Sequence, residues 1–196
     1  MKTPPATPRP RRMFPDDFDP FNDRLSRDIR NTLSETFVDA LARRKPSEYR
    51  AIAEKWLTEK LAAGYVNYIQ DRLHRYDLVL EKILASRLDD ALLQSLVLWN
   101  YGLFFEFHDH LERIWQQATG DEHEALKGLI KAAGVYIHME HGRQQAVKSL
   151  SIKSLDLIRR YSLCLAFITN LNVLIQRLDN LDPVSPQLEN PALRVT

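Results

Sequence analysis

Residues 104–115 read FFEFHDHLERIW, and within them His108, Glu112 and Trp115 follow at offsets of four and three. On an α-helix those offsets bring an imidazole, a carboxylate and an indole onto one face within two turns. A nitrogen and a carboxylate one turn apart can share a metal ion. They can equally hold each other in a structural contact, with the indole packed across them. A catalytic zinc needs three protein ligands and an open position. His138 is the best third candidate, because Gly134, one turn before it, allows another helix to come close. Two readings follow. In one, His108, Glu112, Trp115 and His138 form a structural or ligand-binding cluster at a pocket between helices. In the other, His108, Glu112 and His138 hold the divalent ion of a metal-dependent hydrolase, which lowers the pKa of a bound water.

The neighbours of these residues sort on a helical wheel of about 100° per residue. Phe104, Phe107, Leu111, Ile114 and Ala118 form the apolar stripe, and His108, Glu112 and Trp115 lie on its shoulder. His110 points about 200° away from His108, so the two cannot chelate one ion. Glu106 lies about 160° from His108 and is expected to face solvent. The His108-Asp109 dipeptide alone is a weak signal, and Asp109 is set aside with His110 and Glu106. The run HMEH at 138–141 would need histidine in place of Ile137 to form an inverted zincin motif. Neither a glycine-rich phosphate loop nor a GxSxG nucleophile motif occurs, so no residue dictates a reaction.

The elements that must position the cluster are helices. Leu25, Ile29, Leu33, Phe37 and Leu41 recur every four residues, so 23–44 is expected as an amphipathic helix. After Pro46, Ser47 can cap a second helix bearing Ile52, Trp56, Leu57 and Leu61. Gly64 is expected as a weak point or stop before Tyr65 to Leu73, and 76–86 as a further segment. Residues 88–99 form the next helix. Asn100-Tyr101-Gly102 then makes a turn in which Gly102 takes a positive φ. The cluster helix, 103–118, stops at Thr119-Gly120. Asp121 with Glu124 suggests a cap for helix 122–141, which Gly142 ends, and helices over 144–159 and 170–181 follow. No stretch alternates at period two, so the fold class is all-α, a compact helical bundle with additional N-terminal helices and disordered tails.

Six of the ten prolines fall in residues 1–20, interspersed with Arg9, Arg11 and Arg12. This makes 1–21 a disordered tail, as Pro183, Pro186 and Pro191 make 183–196 another. A net charge of +1 provides no broad field for nucleic acid or an anionic membrane. No apolar run reaches the roughly 18–20 residues of a membrane span, and the N-terminus has no apolar signal region. The single cysteine, Cys164, lies in LCLAFI and is expected as a small buried hydrophobe. A cytoplasmic protein fits these features, with a protein partner or a second copy of the chain as the remaining kind of partner.

The stretches WNYGLFFEFHDHLERIW and GLIKAAGVYIHMEHG resemble the domain of unknown function 309 family of bacteria and archaea. Its His, three residues, Glu, two residues, Trp or Tyr pattern matches His108, Glu112 and Trp115. Asn100 and Gly102 match its turn, Phe105-Glu106 its Phe-Glu step, and Gly128-Leu129-Ile130, His138 and Gly142 its next helix. The resemblance covers roughly 96–160. It implies a compact all-α fold, unknown function, and a suggested divalent metal ion at the His/Glu motif. Residues 88–182 are then the family-like core, and 22–87 an N-terminal helical extension. Three positions depart from the pattern: Asp109 replaces a usual Glu, Lys131 a usual Gln, and Arg143 a usual Asn. Lys131 and Arg143 make the site more cationic, which favours an anionic ligand over a bare cation.

Overall fold

Apolar residues three and four apart run through the long segments of the chain, and each run buries its stripe as an α-helix. The computed structural model describes residues 18–43 and 47–194. Among these residues the order is α1 (Arg24–Arg43), α2 (Ser47–Leu57), α3 (Ala63–Ala85), α4 (Ala91–Asn100), α5 (Phe104–Trp115), α6 (Gly120–Glu140), α7 (Gln144–Arg160) and α8 (Leu171–Asp179), with no strand. The all-α class expected from the sequence is the class observed.

Several boundaries differ from expectation: α2 ends at Leu57, short of Leu61, α4 begins at Ala91 rather than 88, and α5 ends at Trp115 rather than 118. Gly64 stops nothing: it sits in the first turn of α3, which continues through the segment expected to begin anew at residue 76. No proline or glycine falls between Tyr65 and Ala85, so the backbone ladder has no reason to break. Helix α6 starts at Gly120 rather than behind an Asp121 cap, and the Thr119 side chain does not cap it. Glu124, expected to close that cap, instead accepts from Lys127 at 3.2 Å and lies 3.1 Å from His123 Nδ1.

Two glycines set how the site helices meet. Gly102 has φ +68°, as the Asn-Tyr-Gly turn requires, and a Cβ there would lie 2.8 Å from Arg75 Nη1. That guanidinium donates to Tyr101 O at 3.1 Å and so fastens the α4–α5 turn to α3. Helices α6 and α7 run antiparallel, with Gly128 against Ile158 and Gly134 against Leu150. A Cβ on Gly128 would stand 3.2 Å from the Ile158 backbone nitrogen. Ser154 Oγ uses the close approach to donate to Gly128 O at 2.8 Å.

One hydrophobic core runs from Phe18 to Leu188. Helices α1 to α3 share it: Phe37 stacks face to face on Tyr76 at 3.8 Å, and Trp99 packs edge-on against Phe104, Phe107 and Tyr136. Residues 1–17, with Arg9, Arg11 and Arg12, lie outside the described residues. Phe18 stacks on Tyr68 at 3.8 Å, so the chain is already packed at the point where the sequence suggested a tail. At the other end, Trp99 Nε1 donates to Pro186 O at 2.8 Å. Asn100 accepts from Leu188 N at 2.6 Å and donates to Leu188 O at 2.9 Å.

Cys164 is exposed, which corrects the expectation of a buried residue. It falls in a 3₁₀ turn, Ser162–Leu165. At three residues per turn, Leu165 takes the buried position while Leu163, 91% exposed, and Cys164 face outward. No helix among the described residues is long and apolar enough to cross a membrane.

Candidate functional site

Helix α5 carries chemistry on two faces. On the first, His108, Glu112 and Trp115 line one wall of a pocket of about 310 Å³. Lys127, Ile130, Lys131 and Gly134 of α6 form the opposite wall, and Leu150 of α7 closes it. The offsets of four and three therefore do put the three side chains together. Their exposure differs from that of a core cluster: the His108 side chain is 29% and Glu112 41% exposed.

His108 Nδ1 lies 3.8 Å from Glu112 Oε2 and 3.7 Å from Asp109 Oδ1. Both distances exceed a hydrogen bond, and Nδ1 is covered with no hydrogen-bond partner. His108, Asp109 and Glu112 each offer a ligand atom, and the three atoms lie within 4.8 Å of one another. Asp109, set aside because a lone His-Asp dipeptide is a weak signal, thus joins the site. A wheel records where Cα–Cβ bonds point, whereas a carboxylate can turn toward its neighbour. Ser34 Oγ of α1 holds Asp109 by donating to its Oδ2. Asp109 and Glu112 also border a groove on the α1 side, together with Asn31 and Glu35.

His138 does not belong to the group of atoms that meet within 4.8 Å. It stacks on Phe21 at 4.7 Å, and Arg143 lies over the same ring at 4.3 Å. Burial, helped by the charges of Arg143 and Arg30, pushes the His138 imidazole below its usual range. Arg30 in turn lies 3.8 Å over Phe105, whose ring is parallel to that of His108 at 6.3 Å. A series of ring contacts through Phe21, Arg30 and Phe105 thus links the two histidines. Trp115 tilts onto His123 at 4.6 Å, and its Nε1 is covered with no acceptor.

The second face of α5 overturns an expectation. Glu106 is fully buried rather than solvent-facing. Tyr76 OH donates to its Oε1 at 2.7 Å, and Arg72 Nε stands 3.8 Å away with its side chain 3% exposed. A helical wheel contains one helix, and α3 covers this side. The signal was Arg72 itself, a lone cation on the apolar stripe Tyr68, Ile69, Tyr76 and Val79. Glu140 adds a second acid to this region. Burial pushes its carboxyl up to about 7, against the pull of the Arg72 charge. His110 is buried too, as a structural donor to Ala91 O at 3.0 Å, and burial lowers its pKa.

Residues 92–150 match the family model of a domain of unknown function, DUF309. That segment, a little under a third of the chain, is similar to the family. The DUF309 segment runs from α4 into the first turns of α7 and contains every residue that lines the pocket, Leu150 being the last of them. Ser34, Arg72 and Tyr76, which hold the two carboxylates Asp109 and Glu106, lie outside it. No curated protein and no solved structure matches the chain.

Proposed function

We propose that the DUF309 segment is a non-catalytic ligand-binding module whose site is the pocket between α5, α6 and α7. The observation that carries this reading is the composition of the walls. His108, Glu112 and Trp115 stand opposite Lys127 and Lys131 around about 310 Å³, with Ile130, Gly134 and Leu150 supplying apolar surface. A small concave site with an apolar lining and a few polar groups is the usual form of a small-molecule site. The test is a fragment screen by NMR on the labelled full chain, with Gly134→Leu as control. A Cβ at Gly134 meets only the tip of Leu150, at 3.2 Å, so the helix tolerates the side chain while the pocket fills. Fragments should shift residues 108–115 and 127–134 and lose their effect in the variant. Shifts that persist in Gly134→Leu would overturn the reading.

One observation favours a second reading. The nitrogen and two carboxylates of His108, Asp109 and Glu112, within 4.8 Å of one another, suit a borderline cation such as Zn²⁺. With an open fourth position, such an ion would lower the pKa of a bound water, the chemistry of a metal-dependent hydrolase. This version uses Asp109 where the sequence suggested His138. Metal analysis of the purified chain decides it: zinc retained by the native protein and lost in both His108→Ala and Asp109→Asn supports it, and absence of metal after zinc loading sinks it.

A further inference from the structure

Two charges in the pocket are unmatched, and they are of opposite sign. Lys127 is held by Glu124 at 3.2 Å. Lys131 has no carboxylate partner among the described residues. Across from it, Glu112 has only the His108 ring, at 3.8 Å. Glu112 and Lys131 line the same pocket without forming an ion pair, because α5 and α6 hold their stems on opposite walls.

A simple anion in this space would gain Lys131 and meet the charge of Glu112. A simple cation would gain Glu112 and meet Lys131. A ligand with both signs satisfies both walls, and like-charge contact then excludes ligands of single sign. The remaining lining, Trp115, Ile130 and Leu150, is apolar and calls for a hydrocarbon group. A volume of about 310 Å³ lies near the lower end for small-molecule sites, so the ligand is compact.

We infer that the pocket takes an apolar α-amino acid, with its carboxylate on Lys131, its ammonium on Glu112 and its side chain against Trp115, Ile130 and Leu150. This rests on the pocket being a ligand site, as proposed above. The test follows the Trp115 indole N–H resonance of the metal-free full chain on titration with three probes. These are leucine, 4-methylpentanoate, which lacks the amine, and 3-methylbutylamine, which lacks the carboxylate. Leucine should bind at least about tenfold more tightly than either fragment, a difference of about 1.4 kcal/mol. Lys131→Met should reduce leucine to the level of the amine, and Glu112→Gln to the level of the acid. Both positions are partly exposed, so the variants keep the fold. If 4-methylpentanoate binds as tightly as leucine, the zwitterion inference falls and the ligand site stands. If none of the three moves the resonance, this inference falls, and fragments that map to the pocket of the native chain and lose their effect in Gly134→Leu separate that outcome from failure of the site itself.

Discussion

Glu106 and Glu112 are carboxylates six residues apart on one helix, and they live in different dielectric worlds. Glu106 has no exposed surface, a tyrosine hydroxyl at 2.7 Å and a buried guanidinium beside it. Glu112 is 41% exposed and faces a pocket with its charge unmatched. The first arrangement resembles the interior ion pairs that specify how helices dock. The second leaves a charge available to something that arrives from solvent. The difference teaches that the acid fixed by the protein is the one held by residues outside the DUF309 segment, while the acid left open faces residues within it.

The sharpest way to break this comparison is to strand the buried acid. Arg72→Met should cost on the order of 3–5 kcal/mol, because removing one partner of a buried pair leaves the other uncompensated. Thermal unfolding should register a drop on the order of 10 °C. Adding Glu106→Gln to that variant should recover much of the loss, and a double variant as unstable as the single one would show that the pair is not the cause.

The next largest effect is a pH dependence from the same buried region. The Glu140 carboxyl, ordinarily near 4.5, is raised to about 7 by burial. Its Oε1 is covered without a hydrogen-bond partner. The folded state thus holds a proton that the unfolded chain releases earlier. Its contribution is complete below pH 4.5 and declines as pH rises through about 7. The full span is roughly 3 kcal/mol. Denaturant melts between pH 5 and 8 should show this fall, and Glu140→Gln should flatten it.

Smaller changes sharpen the contrast on the open side. Ser34→Ala removes the hydroxyl that holds Asp109 and should cost about 1 kcal/mol. If zinc binds, its affinity should weaken in the same variant, which titration would read. Glu112→Gln should change stability by less than about 0.5 kcal/mol, as expected for an exposed side chain away from any buried network. A loss comparable to that from Glu106→Gln would erase the distinction between the two acids.

The comparison also marks where sequence reasoning ended. The offsets of His108, Glu112 and Trp115 were legible because helical period alone decides which residues share a wall. The Gly102 turn was legible for a similarly local reason, since its positive φ depends on the turn. Glu106 was not, because its burial depends on α3, which arrives from some thirty residues upstream. Asp109 needed a side-chain rotation and a serine on α1, neither of which a wheel contains. His138 was legible only in part: its place on α6 was sound, but its ring stacks on Phe21 and is not in the group formed by His108, Asp109 and Glu112. Cys164 was expected buried from its apolar neighbours alone, which do not reveal that the run forms a 3₁₀ turn with Leu165 as its inward residue.

The clasp between Asn100 and Leu188 has a consequence for how this protein is cut. One side-chain amide gives and takes a hydrogen bond with the same backbone residue, much as an adjacent β-strand would. The segment beyond α8 is thereby a tethered peptide, kept at its site by the chain's own effective concentration. It seals the polar edge of Trp99, whose ring is central to the core. A fragment ending at residue 150, where the family match stops, would lose that seal and uncover the indole. The segment that matches the family and the packed core have different ends.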